Sequence, residues 1–182
     1  MMEIKNFYLR IVVVILTVMC VGTYVNATPQ DWKRYSTIDA FGEERPNHPV
    51  FITEVQGTIN GEKGSIVFEV YAFPKTGYPN IRINLVKYGQ HIEFLTINTV
   101  LVKLASGKVF EIPCGASNDD LYLTLGYTSQ ECLKILDILN KGNFTISVTS
   151  EYSAMEGYIK GIFKVGNQTT GITQLAAPIF RR

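Results

Sequence analysis

Between residues 50 and 165 the chain alternates apolar and polar positions in short runs, and a period of two predicts β-strands. Residues 80–88 show it most cleanly. Ile81, Ile83 and Leu85 fall on one face, with Asn80, Arg82 and Asn84 on the other. Val100, Val102 and Leu104 are in phase within the strand-like stretch 91–104, and Leu121, Leu123 and Leu125 repeat the pattern. In residues 143–149, Phe144, Ile146 and Val148 are expected inward and Thr145, Ser147 and Thr149 outward. Residues 65–73 are apolar on both parities, as in a strand covered on two sides. They are joined to strand 50–59 through Asn60-Gly61-Glu62-Lys63-Gly64, a hairpin signal. Ala105-Ser106-Gly107-Lys108 turns the chain into a strand over 109–112, and 158–165 reads as the last strand.

One segment breaks this period. Thr128-Ser129-Gln130-Glu131 forms a capping box, and Cys132, Ile135, Leu136 and Leu139 follow at helical spacing. Lys141 suits the C-terminal dipole and Gly142 ends the helix, which spans about residues 129–141. The fold expected is mainly β: an antiparallel β-sandwich or partly closed barrel with one short packed helix.

The first 27 residues follow a different rule. Lys5 and Arg10 precede an apolar run from Ile11 to Gly22 broken by Thr17, and Val25-Asn26-Ala27 offers a small-residue cleavage site. This is the order of a secretory signal peptide, too short in its apolar part to span a bilayer comfortably. The expectation is one exported domain over residues 28–182, periplasmic or extracellular, with no stable membrane insertion after cleavage. Residues 28–47 read as an irregular segment containing Trp32, and residues 166–182 as a tail without assigned structure. Cys20 lies in the leader and is discarded with it, because Thr17 and Met19 do not fit a lipid-attachment signal.

Charge and cysteine content narrow the function. Of 17 Lys and Arg and 16 Asp and Glu, Lys5, Arg10 and Glu3 lie in the leader, so the remainder carries no formal net charge. That balance argues against nucleic acid as a partner, since neutralising phosphates needs a basic excess. Cys114 and Cys132 form an even pair in an exported chain, and a structural disulfide is favoured over two buried thiols.

No G-x-S-x-G, G-x-x-x-x-G-K-[ST], G-x-G-x-x-G, H-E-x-x-H or C-x-x-C pattern occurs. His91 and Glu93 share a strand face but make at most two ligands, and His48 reads as a loop residue. Asp119-Asp120 suits a solvated turn better than a calcium loop. Asn143-Phe144-Thr145 and Asn167-Gln168-Thr169 match the glycosylation tripeptide. No catalytic residue, cofactor or metal ligand is assigned. Tyr71, Phe73, Tyr78 and Tyr88 surround the loop between Pro74 and Pro79 and are the candidate recognition surface, although aromatic residues also cover the ends of cores.

Over residues 95–165 the order of hairpin, cysteine, capped helix ending in Gly and two strands is similar in layout to the secreted invasion-associated locus B type of bacterial domain. That family's cysteine spacing is not reproduced, and the resemblance implies no residue role here. The reading is a small exported, non-enzymatic binding protein with an unknown protein or glycan partner. The alternative is a carbohydrate-binding protein or hydrolase using the aromatic loop near Tyr78.

Overall fold

The computed structural model describes residues 31–38, 43–72, 77–151 and 157–180. The expected signal peptide, residues 1–27, lies outside them. The strands are β1 (Lys33–Ile38), β2 (Glu44–Ile59), β3 (Glu62–Ala72), β4 (Pro79–Lys87), β5 (Gln90–Ile92) and β6 (Ile97–Leu104). They continue as β7 (Val109–Ile112), β8 (Cys114–Ala116), β9 (Leu123–Leu125), β10 (Phe144–Glu151) and β11 (Tyr158–Val165). Helix α1 is Ser129–Lys141, and a one-turn α2 is Ile172–Ala176.

All the strands belong to one sheet in the order β7-β6-β10-β11-β2-β3-β4-β9-β8, with β1 beside β2 and β5 beside β4. The two ends of that order are adjacent in sequence, separated only by Pro113. A single bent stretch therefore supplies both edges. Its first half pairs with β6 (Val100 opposite Ile112), and its second half pairs with β9 (Cys114 opposite Leu125). The result is a nearly closed antiparallel barrel, which fits the barrel form of the expected fold. Pro113 has no N–H to strand at the changeover, and its carbonyl accepts from the Gly126 amide at 2.7 Å.

The inner face follows from the registers. Phe51, Val70, Ile81 and Leu125 stand in one cross-strand row, and Val102, Ile146 and Phe163 in another. All are buried, so the barrel is filled by side chains. Phe163 fits because its neighbours are glycines: a Cβ at Gly57 or Gly161 would approach its ring to 2.4 or 2.6 Å. At one end, Phe94 is buried within the segment that carries the chain from β5, paired with β4, to β6, paired with β10. Its amide donates to the Asp120 carbonyl at 2.7 Å, and the Leu95 amide donates to Ser150 Oγ at 2.6 Å. This crossing splits the predicted stretch 91–104 into two strands.

Helix α1 lies against β4 and buries Cys132, Ile135, Leu136 and Leu139, the expected stripe. Both bonds of the capping box form: the Glu131 amide donates to Thr128 Oγ1, and Glu131 Oε2 accepts from the Thr128 amide. The Tyr127 amide donates to the same carboxylate, and the two amides hold the Glu131 carboxyl below its ordinary value.

Two segments depart from the expectation. Residues 28–47 are not wholly irregular, because β1 and the start of β2 lie within them. Gly42, Pro46 and the charges around them predict a loop there. Yet β2 pairs with β3 only from Val50 onward, and its register with β1 shifts between Ser36, opposite Pro49, and Thr37, opposite Arg45. The tail also has structure. Trp32 Nε1 donates to the Thr169 carbonyl at 3.0 Å, the buried Thr169 hydroxyl donates to the Leu139 carbonyl, and Ile172 and Ala176 join the core.

Gly161→Val forces the Phe163 ring out of its place. The substitution is expected to lower unfolding free energy in urea by about 2 kcal/mol. A midpoint within error of the parent would show that Phe163 does not depend on that space.

Candidate functional site

Because the inward parity of β2, β3 and β4 is fixed by the core, the outward parity is fixed as well. One outward row runs Tyr35, Val50, Tyr71, Asn80, and the next runs Lys33, Ile52, Glu69, Arg82, Thr124, Gly115. At the centre, Arg82 Nε donates to Glu69 Oε2 at 2.5 Å. The Arg82 guanidinium also stacks 4.0 Å from the Tyr122 ring centroid and 5.3 Å from that of Tyr71. The Glu69 side chain is only 8% exposed, and that guanidinium is its ion-pair partner.

The ionisation of the cluster agrees with this geometry. Burial pulls the Arg82 guanidinium down, but the bond and charge of Glu69 outweigh it and the net shift is upward. Burial raises the Tyr71 hydroxyl, with Arg82 opposing and Glu69 reinforcing.

Local structure sets the surrounding rings. Tyr122 closes a tight loop: its amide donates to Ser117 Oγ at 3.1 Å, and its carbonyl accepts from the Ser117 amide at 2.8 Å. Tyr127 lies over Gly115, where a Cβ would sit 3.2 Å from its hydroxyl oxygen, and it donates that hydroxyl to the Cys114 carbonyl. Tyr35, Tyr78 and Tyr127 are 49%, 48% and 68% exposed. The outer wall of β1, β2, β3, β4, β9 and β8 thus displays Tyr35, Tyr71, Tyr78, Tyr122 and Tyr127 around one braced arginine.

The expected surface is only partly assembled. Tyr71 and Tyr78 belong to this wall, and Phe73 lies outside the described residues. Tyr88 sits at the far end of β4, roughly 30 Å along the strand from Tyr78. There it donates to Glu62 Oε2 at 2.7 Å and covers Lys87, which pairs with the same carboxylate. Alternation gave Arg82 its outward parity. Tyr35, Tyr122 and Tyr127 carry no local signal of this site, because only the sheet pairing brings them near Arg82.

Cys114 and Cys132 are free thiols, which corrects the expected disulfide. Each has its own carbonyl partner: Cys114 Sγ donates to Asn98 at 3.6 Å, and Cys132 Sγ to Leu125 at 3.6 Å. Burial raises both thiols above their usual value, with Glu111 adding at Cys114 and Glu131 at Cys132. His91 Nδ1 contacts Asn84 Nδ2 at 2.9 Å, and no cluster of metal-ligating side chains forms among the described residues. His48 lies in β2, not in a loop. The Asp119 carboxylate builds its turn through the Ser117 hydroxyl and the Leu121 amide, which hold it below the usual range. Asn143 Nδ2 donates to Asn167 Oδ1 at 3.3 Å, joining the two glycosylation tripeptides in space.

No family model, curated protein or solved structure matches the chain.

Arg82→Ala leaves Glu69 buried without its cation and is expected to destabilise the fold by about 2 kcal/mol, reduced from the fully buried case by Arg82's partial exposure. Arg82→Lys should recover part of that loss in the same urea melts, and equal melts for all three proteins would refute the bracing. For the cysteines, unreduced protein in denaturant is expected to show both thiols reactive towards a disulfide reagent. Silent thiols that appear only after reduction would restore the disulfide.

Proposed function

We propose that this protein is a small exported, non-enzymatic binding module that recognises a partner protein or glycan through the tyrosine-rich outer wall around Arg82. The observation that carries the reading is Arg82, held by Glu69 and stacked on Tyr122. Tyrosine and arginine dominate binding hot spots because they offer large amphipathic contact area at low entropic cost. Here the cost is lower still, since the guanidinium is already held by a carboxylate and a ring. Aromatic faces beside an arginine suit both a protein epitope and a sugar ring, so the wall supports either partner. Export rests on the leader pattern of residues 1–27, and N-terminal sequencing of secreted protein should read from Thr28; an intact Met1 would remove that part of the reading.

The wall is tested by capture from the native secretome and by glycan arrays, with Tyr78→Ala and Tyr122→Ala beside the parent. Each substitution is expected to weaken binding by about tenfold or more while the thermal melt stays close to the parent. Unchanged affinity in both variants would remove this wall from consideration. A collapsed melt in both would assign the tyrosines to stability instead.

A further inference from the structure

We propose that the opposite wall of the barrel carries an oxyanion site formed by Lys103, Thr145 and Lys164, suited to the tetrahedral phosphate of a free phosphate or phosphomonoester. The register places these three residues in one cross-strand row, Lys103 on β6, Thr145 on β10 and Lys164 on β11. Phe144, Ile146 and Val148 of β10 are buried in the core, so Thr145 faces outward, and its row partners face the same way. Two long cationic side chains therefore flank a short hydroxyl, with their Cα atoms about 10 Å apart across two strand spacings. Each lysine is long enough to lean over Thr145, so both ammonium groups and the hydroxyl can donate to one anion.

The surface is hollow at this row. A depression of about 400 Å³ is lined by Lys103, Thr145 and Lys164 together with Asn143 and the Leu104–Ala105 turn. Its lining contains no carboxylate. Two other hollows among the described residues differ: one includes Glu54 beside Lys63, and the other Asp31 and Glu54 beside Lys33. Among the described residues neither Lys103 nor Lys164 has an ion-pair partner, whereas Arg82, Lys87 and Lys141 are each matched to a carboxylate. Two lysines without an ion-pair partner among the described residues thus stand on either side of a hydroxyl. Arginine would grip a phosphate as a planar fork; lysine acts as a point charge and suits a small tetrahedral anion approached from two sides.

The site is independent of the tyrosine wall, so either can fail without the other. The test is a titration of isotopically labelled full-length mature protein with inorganic phosphate, followed by amide chemical shifts at constant ionic strength with chloride as control. Saturable shifts are expected at residues 103–105 and 143–145. Lys103→Gln and Lys164→Gln should each weaken binding by about fivefold or more, while Lys160→Gln, on the same strand but outside the hollow, should not. Vesicles containing phosphatidate distinguish the source: tighter binding there than to inorganic phosphate assigns a lipid headgroup, and equal or weaker binding assigns a soluble phosphate. Shifts scattered over all lysines, no saturation, or unchanged affinity in both Lys103→Gln and Lys164→Gln would each overturn the proposal.

Discussion

Everything in this fold depends on one short stretch of chain serving two neighbours. Residues 109–112 complete the ladder on β6, Pro113 bends the chain, and residues 114–116 begin the ladder on β9. Without that changeover the sheet would end in two exposed edges, each a row of unpaired amides and carbonyls open to other chains. With it, the same peptide segment satisfies both. Proline is well suited to the pivot because the residue between two ladders would otherwise carry an amide belonging to neither. The Cys114 thiol, donating to the Asn98 carbonyl on β6, ties the second half back to the strand that the first half has just left.

Closure also decides which side chains face solvent. A barrel of this girth has an interior filled by its own side chains, and here Phe68 and Phe163 fill it together with isoleucine and leucine. Glycine at 57 and 161 makes room for the Phe163 ring, so space inside is used for packing. The ends are occupied too, by Phe94 on one side and by α1, Trp32 and the tail on the other. The outward parity of the strands remains, and its chemistry is whatever the sequence placed on alternate residues.

That parity was legible in the sequence, and so was most of the local structure. The alternation of Ile81, Ile83 and Leu85 defined β4, and the capping box with its apolar stripe defined α1 to the residue. These signals are local. Pairings between distant segments left no comparable trace. Strand β1 was hidden because its partner is a proline-containing stretch whose irregularity is absorbed by a register shift. Tyr88 looked close to Tyr78 in sequence, yet a nine-residue strand separates them. Tyr122 is far from Arg82 in sequence but lies against it, because β9 pairs with β4. The cysteines erred for a different reason: compartment chemistry argued for a bond, while burial and carbonyl partners were available to both thiols.

The two outer walls then differ for a physical reason that the overall charge conceals. On the tyrosine wall the central cation is matched: Glu69 is nearly buried, and retaining it there requires Arg82. Such a wall presents rigid amphipathic rings with little net field and suits a partner recognised by contact area. On the wall built from β6, β10 and β11 the central positions of β10 are short hydroxyl residues, and the flanking lysines have no acids opposite them in their row. The nearest acids on that face, Glu111 and Glu151, stand in other rows. Formal neutrality over residues 28–182 therefore conceals two unlike faces, one with its central cation paired to a nearly buried carboxylate and one with two lysines flanking a hydroxyl.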